Sequence, residues 1–207
     1  MAGLSTQGPN QPVTKRGRAT RAALLRAAED VFGESAYERA SVSEITRRAG
    51  VAQGTFYVYF PDKKAAYVEL VHELNALLRR TIAIAIGDET DRMEMERIGF
   101  LTFFQFVNEH TALYKIMREA EFVDSDLYRW HYETLGRGYR EGIQAAIDAG
   151  QLDTDLDAET AADILMGLSE YVGWKYVIRG QGAPSPEAFE QIMGFIARGL
   201  KYRGDRA

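Results

Sequence analysis

Gln53, Thr55, Tyr57 and Tyr59 fall in one short stretch, QGTFYVY, with Lys63 shortly after it. Their chemistry suits the surface of duplex DNA. A glutamine amide donates and accepts at once, matching the N6/N7 edge of adenine, while a threonine offers a hydroxyl and a methyl to a phosphate or a thymine. Tyr57 and Tyr59 can give phenolic hydrogens to phosphate oxygens, Lys63 adds a positive charge, and Gly54 lets the backbone come close. Ser41 and Ser43, a few residues upstream, complete the candidate DNA-contacting set. The bland reading is that Phe56, Tyr57, Tyr59 and Phe60 form a small aromatic core, and residue types alone leave the two readings level.

The elements around this stretch decide what it can present. From Thr20 onward, Leu24, Ala28, Val31 and Phe32 recur at helical spacing, which predicts a first helix with one buried stripe. Ser41 or Ser43 can cap a short second helix with Val42, Ile45 and Ala49 inward, leaving Glu44, Arg47 and Arg48 for solvent or phosphate. Gly50 accepts positive φ, so the chain can turn there and begin a third helix near Gln53. Val51 and Phe56 anchor that helix. Gln53, Gly54, Thr55, Tyr57, Val58 and Tyr59 remain for its outward face and flanks, a surface able to enter a major groove.

Charge supports the reading. Up to residue 64 there are ten Lys and Arg against six Asp and Glu, and beyond it fifteen against twenty-four, within a net charge of −5. A basic end on an acidic body directs a polyanion to one place. The polar opening, residues 1–18, reads as a disordered arm ending in Lys15, Arg16 and Arg18, either a solubilising tail or a phosphate and minor-groove contact.

Residues from about 18 to 70 resemble the DNA-binding domain of the TetR family of transcriptional regulators. The resemblance rests on the run Leu24-Leu25-Arg26-Ala27-Ala28 with Phe32, on Ser41-Val42-Ser43-Glu44-Ile45, and on the turn Ala49-Gly50-Val51. It continues through Gly54-Thr55-Phe56-Tyr57 and Tyr59-Phe60-Pro61-Asp62-Lys63. Two positions depart from the pattern. Ala52 stands where the family usually has Ser and cannot cap the third helix, a loss of about 1 kcal/mol. Gln53 stands where the family often has a cation.

The rest of the chain reads as helices, giving an all-α fold of about nine, with residues 19–64 as the helix-turn-helix domain and 65–207 as a ligand-binding and dimerisation domain. A long fourth helix should run from a cap at Asp62 past Ile82 to the Gly87-Asp88 break, roughly 35 Å. Further helices are expected over about 91–108, 111–121, from Asp124 or Ser125 to Gly150, 157–178 and 185–202. The chain has no cysteine, which excludes disulfides and thiolate zinc sites and suits a reducing cytoplasm. It shows no signal-like h-region and no apolar stretch long enough for a bilayer, so a cytoplasmic location and no membrane partner are expected.

The eighth helix is apolar almost all round, and the ninth carries a wide apolar band. Trp174, Val177, Phe189, Ile192, Met193 and Ile196 are therefore expected at a homodimer interface, where the family resemblance also places one; deep burial in a monomer is the alternative. A dimer would present two recognition helices to an inverted-repeat operator with half-sites about 34 Å apart, or a multiple of it.

The middle helices are rich in aromatics, and the resemblance implies an inducer cavity among them. Phe104, Tyr114, Met117, Arg118, Trp130, His131, Tyr139, Tyr171 and Trp174 form the candidate ligand set, for an amphipathic aromatic or acyl effector such as a CoA thioester. Repression relieved by that effector is the family default. The competing readings are an enzyme and an all-helical binding module without DNA recognition. His72, His110 and His131 are dispersed, with no metal-ligand pair, and Gly136-Arg137-Gly138 lacks the strand context of a dinucleotide loop, so neither catalysis, metal nor cofactor is expected.

Overall fold

The computed structural model describes residues 14–178, 180 and 182–201, without the side chains of Val177 and Ile178. Among the described residues there are nine helices and no strand: α1 (Lys15–Glu34), α2 (Val42–Ala49), α3 (Gln53–Tyr59), α4 (Lys63–Ile86), α5 (Arg92–Glu109), α6 (Leu113–Val123), α7 (Ser125–Asp148), α8 (Ala158–Ile178) and α9 (Pro186–Gly199). The all-α class and the helix order agree with the reading of the sequence.

Side-chain caps set most of the starts. Ser41 Oγ accepts from Glu44 N at 3.2 Å, Asp62 from Ala65 N at 2.7 Å and Asp91 from Glu94 N at 2.9 Å. Asp124, Asp157 and Ser185 do the same for Leu127, Thr160 and Ala188 at the starts of α7, α8 and α9. Each pairing satisfies a first-turn N–H that the helix cannot satisfy itself. The ninth helix ends at Gly199 rather than Tyr202, which lies outside the described residues.

The chain divides into two compact units. The first holds residues up to Leu74 together with Ala112–Tyr128, so it contains α1 to α3, the start of α4, and α6. Leu24, Ala28 and Phe32 of α1, Ile45 of α2, Phe56 of α3, Tyr67 and Val71 of α4, and Ile116 of α6 are wholly buried there. At about 25 cal/mol per Å² of apolar surface, each of the larger ones contributes roughly 1.5–3 kcal/mol. Phe32, Tyr37 and Tyr67 meet with centroids 5.1–5.8 Å apart.

In the second unit, α5, α8, α9 and the later part of α7 share a core. Phe100 and Phe104 of α5, Ile143 of α7, Leu165 of α8, and Phe189, Met193 and Ile196 of α9 are buried in it together. Phe104 meets Phe189 edge-on at 6.5 Å. None of the helices among the described residues is long and apolar enough to cross a membrane.

Candidate nucleic-acid interface

The turn between α2 and α3 is built as the sequence suggests. Gly50 sits at φ 68°, ψ 31° and the N–H of Val51 returns to Thr46 O at 3.0 Å, closing α2 with a left-handed cap that a side-chain-bearing residue adopts only with strain. Seven residues of α3 follow at once. Ala52 gives no side-chain cap. Phe56 is wholly buried and meets Phe60 at 5.3 Å, which fixes the inner side of α3.

The opposite side is open. Gln53 and Gly54 are exposed, Tyr57 is 52 % exposed and Val58 55 %. A Cβ built on Gly54 would meet nothing within 4 Å, and its φ is not positive, so neither packing nor backbone conformation calls for glycine there. Thr55 and Tyr59 are half-buried on the flank, where they line a cleft of about 410 Å³ together with Ala52 and with Thr14, Arg16, Gly17 and Thr20 of the α1 start. The aromatic core of the bland reading exists, but it is made of Phe56 and Phe60 and leaves Tyr57 outside.

Two expectations about this end are corrected and two open alternatives are narrowed. Helix α1 begins at Lys15, because Thr14 caps it by accepting from Gly17 N at 3.0 Å. Lys15, Arg16 and Arg18 are therefore held on a helix beside α3; the rest of the expected arm, residues 1–13, lies outside the described residues. Lys63 was expected to meet a phosphate. Instead its Nζ donates to Tyr37 O at 2.7 Å and Ala40 O at 3.0 Å and lies 4.3 Å from the Tyr37 ring centroid, so it braces the α1–α2 loop. Arg47 and Arg48 are tied to Glu44, and Arg48 also to Glu34. The two hydrogen-bonded arginines hold the Glu44 carboxyl down at about 2. Of the two candidate serines, Ser41 is the cap, while Ser43 is exposed in the first turn of α2 with its carbonyl accepting from the Thr46 hydroxyl.

The candidate ligand residues divide between the two units. Tyr114 and Met117 are buried in the first and Arg118 is exposed there; the others belong to the second. Within the second unit they do three different things. Asn75 Nδ2 donates to His131 Nδ1 at 3.1 Å, and Arg79 Nε donates to Asn75 Oδ1 at 2.9 Å, which orients the amide. Burial pushes His131 down to about 4, so its ring is neutral at pH 7. The Tyr139 hydroxyl donates to Glu96, which also binds Arg92, and burial followed by the Glu96 charge raises the phenol well above its usual range. Phe104 is plain core. Trp130 is half-buried, and Tyr171, 64 % exposed, meets the half-buried Trp174 at 5.8 Å on the outside of α8.

The expected dimer residues are also re-sorted. Phe189, Met193 and Ile196 are buried in the chain's own core, so they are not free to meet a second copy, while Ile192 packs against that core and stays half-buried. The Val177 side chain lies outside the described residues. The apolar side that α8 and α9 leave open is carried by Ile164 (58 % exposed), Tyr171 and Phe195 (58 % exposed). Ile164, Leu168, Phe195 and Gly199 line one groove of about 420 Å³. Sequence reasoning missed Ile164 and Phe195 as open positions, although 100° per residue sets Phe195 roughly 120° from the 189/193/196/200 stripe. Arg16, Gly17 and Thr20 were missed beside α3 for want of a tertiary contact to place them.

Residues 24–70 match the family described as "Bacterial regulatory proteins, tetR family". The chain is 31 % identical over 187 residues to the HTH-type transcriptional regulator EthR of Mycobacterium tuberculosis, a match covering 81 % of this chain and 83 % of that one. Among solved structures it resembles the fatty acid degradation regulator FadR of Bacillus halodurans, with a TM-score of 0.78 at 22 % identity over 89 % of this chain and 97 % of that one. It also resembles FadR of Bacillus subtilis in complex with stearoyl-CoA, with a TM-score of 0.71 at 18 % identity, covering 86 % of this chain and 96 % of that one.

Proposed function

Given that the chain belongs to the TetR family of transcriptional regulators and carries its helix-turn-helix, we propose that it is a homodimeric repressor released from an inverted-repeat operator by an amphipathic acyl effector, a long-chain acyl-CoA being the first to try. The observation that carries the DNA half of this reading is the open face of α3. Gln53, Gly54 and Tyr57 stand exposed on a helix whose other side is locked by Phe56. Gln53 and Gly54 approach the base edges, Tyr57 and the flanking Thr55 and Tyr59 meet phosphates, and Ser41 and Ser43 stand at the exposed start of α2. The site of action is the cytoplasm, with the DNA.

Dimerisation uses the open apolar side of α8 and α9, with Ile164, Tyr171 and Phe195 in place of the buried α9 stripe. Two copies bring two α3 helices to one face of the duplex, and their spacing sets which operators fit. The effector binds in the second unit, whose phenylalanine-rich core suits an acyl chain. The stearoyl-CoA held by the Bacillus subtilis FadR supports that class of ligand.

The switch works by linkage. Helix α4 runs unbroken from Lys63, in the first unit, to Ile86, in the second. An effector that favours a different tilt of α4 shifts the α3 spacing in the dimer and lowers DNA affinity, and DNA lowers effector affinity by the same factor, about 5- to 150-fold. Titrating a duplex selected by the protein, with and without stearoyl-CoA, and stearoyl-CoA with and without the duplex, tests this. Matched losses are expected. Unchanged DNA affinity at saturating stearoyl-CoA would remove the effector class, and the same affinities throughout would remove the switch.

A further inference from the structure

The helix that faces DNA carries no cation. Residues 53–59 are Gln, Gly, Thr, Phe, Tyr, Val and Tyr, whereas exposed Lys15, Arg16 and Arg18 stand on the first turn of α1, Arg16 lining the same cleft as Ala52, Thr55 and Tyr59. A neutral centre beside a basic flank complements a duplex, whose negative charge lies on the phosphates and whose base edges are uncharged. The kind of neutral centre matters as well. Guanine is read chiefly by the bidentate fork of Arg or by Lys, adenine by an amide, and thymine by apolar contact with its 5-methyl group.

Val58 supplies the last of these. It follows Gly54 by four residues, so the two share one side of the helix, which Gln53 and Tyr57 border, and Val58 is 55 % exposed. A β-branched residue is a poor helix former in a seven-residue helix that already lacks a side-chain cap. Resting on the DNA-binding reading above, we propose that α3 is a reader of A·T pairs, in which Val58 packs against a thymine methyl and Gln53 pairs with an adenine edge. Five residues separate the two by about 7.5 Å along the helix axis and about 140° around it, so a helix lying along the groove places the two contacts on either flank of its outward face, about two base-pair steps apart. The operator half-site is therefore A·T at the pairs facing α3, and the thymine methyl is part of what is recognised.

The test uses the full-length protein and a pool of random duplexes. After selection, each thymine of the recovered half-site is replaced in turn by deoxyuridine, which keeps the pairing edge and removes only the methyl. Binding is expected to weaken about fourfold at one thymine per half-site, the effect of one methyl-sized apolar contact. In Val58→Ala, checked for an undiminished melting temperature, that sensitivity should vanish while deoxyuridine at other positions stays neutral. Half-sites recovered with G·C pairs opposite α3, no deoxyuridine effect, or the same effect in Val58→Ala would overturn the assignment while leaving DNA binding intact. Failure to retain any duplex at low salt would overturn both.

Discussion

His131 shows how much one buried side chain can commit. Its Nδ1 accepts from Asn75, which needs an unprotonated nitrogen, and burial lowers its pKa from the usual 6.5 to about 4. The unfolded chain takes up this proton at higher pH than the folded one, so the contribution of His131 is complete above about pH 6.5 and lost as pH falls towards 4. The loss approaches about 3 kcal/mol, since each tenfold difference in proton affinity between the two states is worth about 1.4 kcal/mol. Urea unfolding at about pH 7 and about pH 4.5 should show the native protein losing more stability than His131→Gln, which cannot titrate; parallel losses would contradict the assignment. None of this was legible in the sequence, where His131 stood only as a polar candidate for ligand binding. What distinguishes it is Asn75, fifty-six residues away, and no spacing rule links the two.

At the scale of elements, α1 and the start of α6 approach closely within the first unit. A Cβ on Gly33 would lie 2.5 Å from Ala112 Cβ, while Lys115 Nζ donates to Gly33 O at 2.9 Å and the Glu119 carboxylate accepts from Tyr37 N at 2.7 Å. The Tyr67 hydroxyl closes the same region on Ile116 O. Gly33→Ala has to separate the two helices, and a loss of about 1–3 kcal/mol is expected in chemical denaturation; an unchanged midpoint would show that the neighbour yields freely. The helices themselves were readable, because Asp62, Asp91, Asp157 and Ser185 cap where local rules say they must. Gly33 was not readable. Its neighbour Ala112 is distant in sequence, and a glycine within a helix gives no sign of what approaches it.

For the whole molecule, the decisive distinction is between the two sides of α9. The apolar band is visible in the sequence, but the side that meets the core depends on α5 and α8, so Phe189, Met193 and Ile196, expected at a dimer interface, lie inward. Two substitutions separate the roles. Phe195→Glu should leave the fold intact, shift sedimentation from dimer to monomer and weaken operator binding, because one copy offers one reading helix. Phe189→Ala should cost about 3–5 kcal/mol of stability, as expected for emptying a core phenylalanine site. A Phe195→Glu protein that still sediments as the native form would place the assembly surface elsewhere.

Docking of the open side of α3 against duplex DNA places its sharpest demand on Gly54. Glycine weakens a helix by about 1 kcal/mol relative to alanine, and here the added methyl meets nothing in the protein within 4 Å. Gly54→Ala should therefore melt at or above the native temperature and yet bind a selected duplex about tenfold or more weakly, a difference of about 1.4 kcal/mol. Equal DNA affinity in the two proteins, with the variant fully folded, would contradict the account.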